Sequence, residues 1–375
     1  MLRYETHWNG LPLEEDEDSH LAYLERFCED FVGRMKDMVE EGLQMRCGSF
    51  LFTSGRELSV EVLHHASMAV AKSRIFCGRE DTLEDIHDYI QSLSESRSPL
   101  VLHGLSGQGK TAVMAVAARH LIGWMSADTQ PISVLRFLGT TPSSSDILSV
   151  LRSIITQLSV ALNLPVSDKL EQLGPARKAF CTLLERIAKK RSHSHVVIFL
   201  DSVDQLSKTY GAHQMTWLPR VLPKNVHIVV SMLSEDVHDC LINTRNRLGD
   251  GVRIVELNPL GNEAAVEVIR LYLSTAGRCL TTGQLWLVTD AVLACRQPLF
   301  VKLVLDQAAS WTSYAEINSH VLPTNIHDAI WRLFAAVEAR YGVVFVSHAL
   351  AYLTCSRGGL SGMEMEDILS CDDEV

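Results

Sequence analysis

The sequence contains no pair of cysteines at C-x-x-C spacing, no apolar run near the ~20 residues of a membrane span, and no excess of Lys and Arg. Each lack removes a class of protein. The nine cysteines, at 28, 47, 77, 181, 240, 279, 295, 355 and 371, are scattered and odd in number. Neither a disulfide framework nor a zinc site follows, and they read as core-filling thiols of a reducing compartment. Lys and Arg total 34 against 45 Asp and Glu, a net charge of −11. That balance speaks against a general nucleic-acid or anionic-membrane surface. Met1 is followed by Arg3, Glu5 and an acidic run over 14–18 instead of an apolar signal segment, so a cytoplasmic location is expected. What remains is an ordinary globular profile. With 375 residues, 47% hydrophobic and 21% charged, the chain has room for two or three domains with a real core.

Residues 98–124 read S-P-L-V-L-H-G-L-S-G-Q-G-K-T-A-V-M-A-V-A-A-R-H-L-I-G-W. Gly104, Gly109, Lys110 and Thr111 satisfy G-x-x-x-x-G-K-[ST], the phosphate-binding loop. An apolar run at 100–102 suits a buried strand and the Ala-rich 112–122 suits a helix, so strand, loop and helix follow in the order the motif requires. A backbone that wraps phosphates cannot carry side chains at Gly104, Gly107 and Gly109. The N–H groups of Gly107, Gln108, Gly109 and Lys110 are then expected to face phosphate oxygens, at the positive end of the following helix. Lys110 supplies a mobile cation for the β- and γ-phosphates, and the Thr111 hydroxyl is placed to ligate Mg²⁺.

Downstream, 132–138 is a β-rich run followed by a turn at 139–145, then a helix with Ile147, Leu151, Ile154 and Leu158 on one face, Asp146 lying near its start. A helix over 176–190 leads into V-V-I-F-L-D-S-V-D at 196–204, an unbroken apolar strand ending in a carboxylate. Such uniformity predicts a strand buried on both faces of a parallel sheet. A strand-end Asp beside a phosphate loop holds Mg²⁺ through water, which assigns Asp201 to the metal together with Thr111. Further strands are expected at 226–230 and 252–257. Before the loop, an amphipathic helix is expected after Ser19, carrying Leu24, Phe27, Phe31 and Met35, and another over 57–72. The His64-His65 pair in the latter reads as surface or packing residues, since no third metal ligand is near in sequence. Asp81 or Thr82 can cap a helix bearing Leu83, Ile86 and Ile90. Behind the core the pattern turns helical: 263–273, 281–294 and 298–309, then 325–341, 344–355 and 361–370.

Several segments carry a family resemblance. I-F-C-G-R-E at 75–80, ahead of the phosphate loop, resembles the adenine-side entry of STAND-type ATPases, implying nucleotide contacts from Gly78 and Arg79. D-S-V-D at 201–204 matches the NACHT pattern of acid, small residue and second acid, in which Asp204 orients the attacking water; as a turn residue it has a purely structural reading too. Gln205 departs from the further acid found in many ATPases of the wider class. By the same resemblance Ser231, at a strand end, senses the γ-phosphate, and Pro259 packs near the adenine, although a strand stop explains Pro259 equally. R-F-L-G-T-T at 136–141, L-T-T-G-Q at 280–284 and the segment 356–375 are similar to the NACHT and WD repeat domain-containing proteins, and within that last segment G-L-S-G-M-E-M-E-D-I-L-S-C-D-D-E-V resembles the third helix of a winged helix.

The expected fold class is therefore α/β: a P-loop NTPase three-layer α/β/α core with a parallel sheet, flanked by an N-terminal helical region and C-terminal helical and partial winged-helix domains. The expected boundaries are 1–74 for the helical region, 75–260 for the NTPase core, 261–322 for a helical lid and 323–375 for the partial winged helix. No WD-repeat period recurs, and the chain is expected to be a fragment that stops inside the winged helix. The resemblance implies ATP or ADP with Mg²⁺ and a conformational switch acting on protein partners, with nucleotide-dependent self-association, no nucleic acid and no membrane span. A nucleotide-binding scaffold without hydrolysis is the alternative. A metabolic kinase would need a catalytic base and anion-binding arginines, and nothing after Asp201 offers them.

Overall fold

The computed structural model describes residue 26 and residues 56–92, 97–125, 131–165, 170–190, 195–249, 251–315, 322–356, 359–360 and 362–375. The helix expected after Ser19 and the acidic run at 14–18 lie outside the described residues. The chain divides into compact units 1–59 and 60–375, and the second contains the sheet and the candidate site.

In chain order, α1 (Arg56–Lys72) and α2 (Glu80–Gln91) precede β1 (Leu100–Gly104), α3 (Lys110–Trp124) and β2 (Ile132–Phe137). The short α4 (Pro142–Ser145) leads into α5 (Ile147–Ala161), α6 (Leu173–Lys190), β3 (Val196–Asp201), β4 (Val226–Leu233), α7 (Cys240–Leu248) and β5 (Ile254–Glu256). Helices α8 (Asn262–Thr275), α9 (Thr282–Ala294), α10 (Pro298–Ala309), α11 (Ile326–Tyr341), α12 (Val343–Cys355) and α13 (Gly362–Ser370) follow. No helix among the described residues is long and apolar enough to cross a membrane.

The five strands form one sheet in the order β2-β3-β4-β1-β5, every neighbour parallel. Both faces are covered, as the unbroken apolar β3 requires. Ile154, Phe180 and Trp217 pack with Ile198 and Val230 on one face, while Ile86, Met114 and Leu121 pack with Leu102 and Phe199 on the other. Strand bounds differ from expectation at β1, which extends to Gly104, at β2, which ends at Phe137, and most at β4 and β5. β4 runs past Val230 to Leu233 because β1 continues beside it, pairing Leu102, His103 and Gly104 with Ser231, Met232 and Leu233, whereas its ladder with β3 ends at Val230. β5 is confined to Ile254–Glu256 because it is an edge strand paired only with β1.

Local signals explain several helix starts. Asp146 caps α5 by accepting the Ser149 N–H, and Thr141 and Thr281 form capping boxes with Ser144 and Gln284. Asp81 and Thr82 do not cap α2. Its N-cap is Arg79, and Gly78, at φ 71, turns the chain so that its N–H meets the Glu80 carboxylate at 3.1 Å, placing Asp81 and Thr82 in the first turn. Helix α7 had no counterpart in the sequence reading.

α8, α9 and α10 share a core of Ile269, Leu273, Val288, Phe300, Val304 and Leu305, to which α11 adds Ala329. Beyond that point little is buried: Val346 alone on α12 and no described residue on α13.

Candidate functional site

The loop between β1 and α3 has the backbone its glycines allow. Gly107 and Gly109 sit at φ 79 and 88, a region that costs any other residue strain. A Cβ on Gly104 would fall 2.6 Å from the Gln108 side-chain oxygen and 3.0 Å from the Leu257 carbonyl. Gln108 is buried and folds back to accept the Leu105 N–H at 3.0 Å. Lys110 is also buried, its ammonium donating to the carbonyls of Gly104 at 2.8 Å and Leu105 at 3.0 Å. Burial lowers the Lys110 pKa, and the nearby Asp204 and Asp201 carboxylates partly restore it.

Asp201 ends β3 and is 2% exposed. Its carboxylate accepts the Ser231 hydroxyl at 2.6 Å and the Ser202 hydroxyl at 3.3 Å, and also bonds the Thr111 hydroxyl. Burial raises its pKa, while these three bonds and the Lys110 charge hold it down. Ser202 occupies the left-handed region at φ 60, which aims its N–H at the Ser231 oxygen, 2.8 Å away. One turn on, Asp204 accepts the Leu233 N–H at 3.1 Å with one oxygen and the Gln205 amide at 2.8 Å with the other.

These elements frame a cavity of about 630 Å³, a size that suits a small-molecule ligand. Its lining combines Arg79, the loop from Gly107 to Thr111 and Asp204 with the apolar side chains of Ile75, Phe76, Leu260, Val268 and Leu305. Arg79 also donates to the Gln108 carbonyl at 3.1 Å, bracing the loop, and burial lowers its pKa. Thus Arg79, Gly107, Gln108, Gly109, Lys110, Thr111 and Asp204 converge on one space.

The other expected site residues do not line it. Pro259 is exposed; the next residue, Leu260, turns inward and forms both the cavity wall and part of the core shared by α8, α9 and α10. Gly78 is needed for close packing instead, since a Cβ there would lie 2.1 Å from Ala264 Cβ on α8. Gly104 likewise provides close approach and a carbonyl for Lys110. Asp201 and Ser231 stand behind the wall. Ser231 is wholly buried with its hydroxyl engaged on both sides, so it orients Asp201 and does not reach into the cavity as a γ-phosphate sensor would.

Residues of α8 and α10 also line the cavity, which no site expectation from the sequence included. Pro298 and Leu299 open α10 against the loop, the Leu299 N–H donating to the Gly107 carbonyl at 3.1 Å, and Tyr272 and Lys302 join the wall. The proline in Q-P-L was legible as a helix start, but nothing local showed what that start would touch.

The residues present fit a nucleotide and a hard divalent cation. The loop glycines leave the space a phosphate needs, Lys110 and Arg79 bring positive charge, and the apolar part of the lining suits a base. Thr111 lines the cavity with a hydroxyl oxygen of the kind a hard divalent cation prefers, and Asp201, behind the wall, would act on such a cation only through an intervening water. When bound, such a cation would neutralise phosphate charge.

A phosphate loop on a buried parallel strand, faced by a carboxylate at the end of a nearby strand, defines a nucleotide-binding P-loop NTPase. Residues 75–230 match the AAA ATPase domain family, and residues 312–375 match the NWD1-like winged helix-turn-helix domain. The chain belongs to the family of the NACHT and WD repeat domain-containing proteins. It is 31% identical over 358 residues to human NACHT and WD repeat domain-containing protein 2, covering 94% of this chain and 20% of that protein. It is also 31% identical over 374 residues to mouse NACHT domain- and WD repeat-containing protein 1, covering 98% of this chain and 23% of that protein. The chain thus spans between a fifth and a quarter of the length of these curated relatives. The solved structure of the Aeropyrum pernix ORC1 protein in complex with DNA aligns with 81% of this chain and 80% of that one at 16% identity and a TM-score of 0.44, a likeness too loose to bear on function.

Proposed function

We propose that this chain is an ATP- and Mg²⁺-dependent conformational switch of the STAND class. Lys110, Arg79 and the loop amides would take the phosphates, Thr111 and Asp201 the metal, and the apolar part of the lining the base. The observation that carries the reading is the bond from Leu299 to Gly107: the lid and the phosphate loop share one wall, so a ligand in that space biases how the lid packs. In this reading the core spans 75–260, the lid 261–322 and the partial winged helix 323–375, and the protein works in the cytoplasm on protein partners, without nucleic acid. Exposed Trp331, Tyr341, Val343 and Val344 on α11 and α12 support a protein-binding or self-associating surface there.

A second reading, a nucleotide-binding scaffold that does not hydrolyse, is favoured by Asp204. Its oxygens already accept the Leu233 N–H and the Gln205 amide, which take about two of the four acceptor positions of the carboxylate and fix its orientation toward the protein. Single-turnover hydrolysis of labelled ATP separates the two. Identification of the nucleotide that co-purifies tests both, and a protein that binds neither ATP nor ADP would refute them together.

A further inference from the structure

Helix α1 joins the NTPase core through a buried polar contact. One Glu61 oxygen accepts the Nε2–H of His65 at 2.9 Å and the Thr141 hydroxyl at 2.8 Å. His65 Nδ1 in turn accepts the backbone N–H of Phe137 at 3.1 Å, at the end of the edge strand β2. Glu61 is 7% exposed and His65 1%. The tautomer follows from these partners: Nδ1 must carry the lone pair and Nε2 the proton. Burial keeps the ring neutral down to about 4, and the buried Arg136 guanidinium stands near enough to Glu61 to offset its charge.

The contact leads to the cavity. Thr141 closes the turn after β2, and within that turn Gly139 lies at φ 78, where a Cβ would meet Gln205 Cβ at 3.0 Å and the Gln205 carbonyl at 3.2 Å. Gln205 lines the cavity and holds Asp204. The far end of the turn is tied to the same segment by the Ser207 N–H, which donates to the Ser145 carbonyl at 2.8 Å. Meanwhile the C-terminal end of α1 and the residues after it, through Ala71, Lys72 and Arg74, line the cavity directly. The helix therefore meets the cavity twice, once at its wall and once through the turn.

We propose that α1 is the element that reads the nucleotide state of the cavity, with Glu61 and His65 as positioning residues that hold the Thr141 turn against Gln205 and Asp204. This rests on nucleotide occupying the cavity as argued above. Whatever reorders Asp204 and Gln205 changes the seat of α1, and by linkage the seating of α1 changes nucleotide affinity by the same factor.

Hydrogen exchange of residues 62–72 in the whole chain, alone, with ADP, and with a non-hydrolysable ATP analogue and Mg²⁺, tests it alongside calorimetry. In the wild type these amides should exchange more slowly with nucleotide, by about fivefold or more, the lower range of typical couplings. Glu61→Gln, which keeps an acceptor oxygen for both donors, and Thr141→Ser, which keeps the hydroxyl, should retain the response. Glu61→Leu should bind nucleotide about fivefold or more weakly and lose the response, the same factor appearing on both sides of the linkage. Nucleotide bound by calorimetry with no change in α1 exchange overturns the inference, as does a Glu61→Leu protein that responds like the wild type. The wild-type comparison stands even if Glu61→Leu fails to fold. No binding to the wild type would instead remove the nucleotide reading, and the inference with it.

Discussion

Ser231→Ala distinguishes the observed geometry from a direct phosphate contact. The Ser231 hydroxyl is buried between β3 and β4, giving its proton to Asp201 at 2.6 Å and taking the Ser202 N–H at 2.8 Å. Removing the oxygen deletes one bond to a charged group, worth about 1.5–3 kcal/mol, and strands a buried amide. A net loss of about 2–3 kcal/mol is expected, or roughly 5–10 °C in the melting of a domain this size. Asp201 also loses one of the bonds that counter its burial, so its pKa rises further. The metal-dependent part of nucleotide affinity should weaken, and its acid limb should move to higher pH. Calorimetric titrations with ATP and ADP, each with Mg²⁺ and with chelator, check this. The expected pattern is a penalty for both nucleotides that requires metal. A penalty confined to ATP and indifferent to metal, with unchanged melting, would refute the buried placement and restore Ser231 to the γ-phosphate.

Lys110→Ala removes the only cation built into the loop, and calorimetry should show nucleotide affinity falling by about 1.5–3 kcal/mol, roughly ten- to a hundredfold, with the fold kept. Asp201→Asn should weaken Mg²⁺-dependent binding, whereas Asp204→Asn should spare binding and slow any single-turnover hydrolysis; equal turnover by Asp204→Asn and wild type would favour the scaffold. Gly78→Ala places a methyl 2.1 Å from Ala264 Cβ at φ +71, so α8 must shift at a cost of about 1–3 kcal/mol, while Gly123→Ala, with nothing within 4 Å, should melt like wild type. His227 is buried beside Arg97 and His195, and burial first, then those neighbours, lowers its pKa from 6.5 to about 3. The folded protein therefore binds fewer protons than the unfolded chain below pH 6.5, and stability is lost as pH falls from there toward about 3. In denaturant titrations His227→Gln should flatten that limb by up to ~1.4 kcal/mol per pH unit; an unchanged slope would mean that His227 is already charged in the folded state.

The sequence by itself determined the parts whose physics is local. The phosphate loop was legible because glycine spacing, Lys110 and Thr111 lie within eight residues. β3 was legible because burial on both faces leaves an unbroken apolar run, and α10 began at Pro298 as its proline indicated. Side chains that act across the sheet were another matter. Ser231 meets Asp201 only because β4 lies beside β3 in this strand order, and apolar runs do not record which strands become neighbours. Pro259 is the residue the sequence points to, but the path after β5 turns it outward and sends Leu260 into the core shared by α8, α9 and α10. The contacts from Leu299 to Gly107 and from Glu61 to Thr141 join residues 192 and 80 positions apart. Periodicity fixes the face a residue occupies on its own element; which face of which other element it meets was decided by how the layers pack.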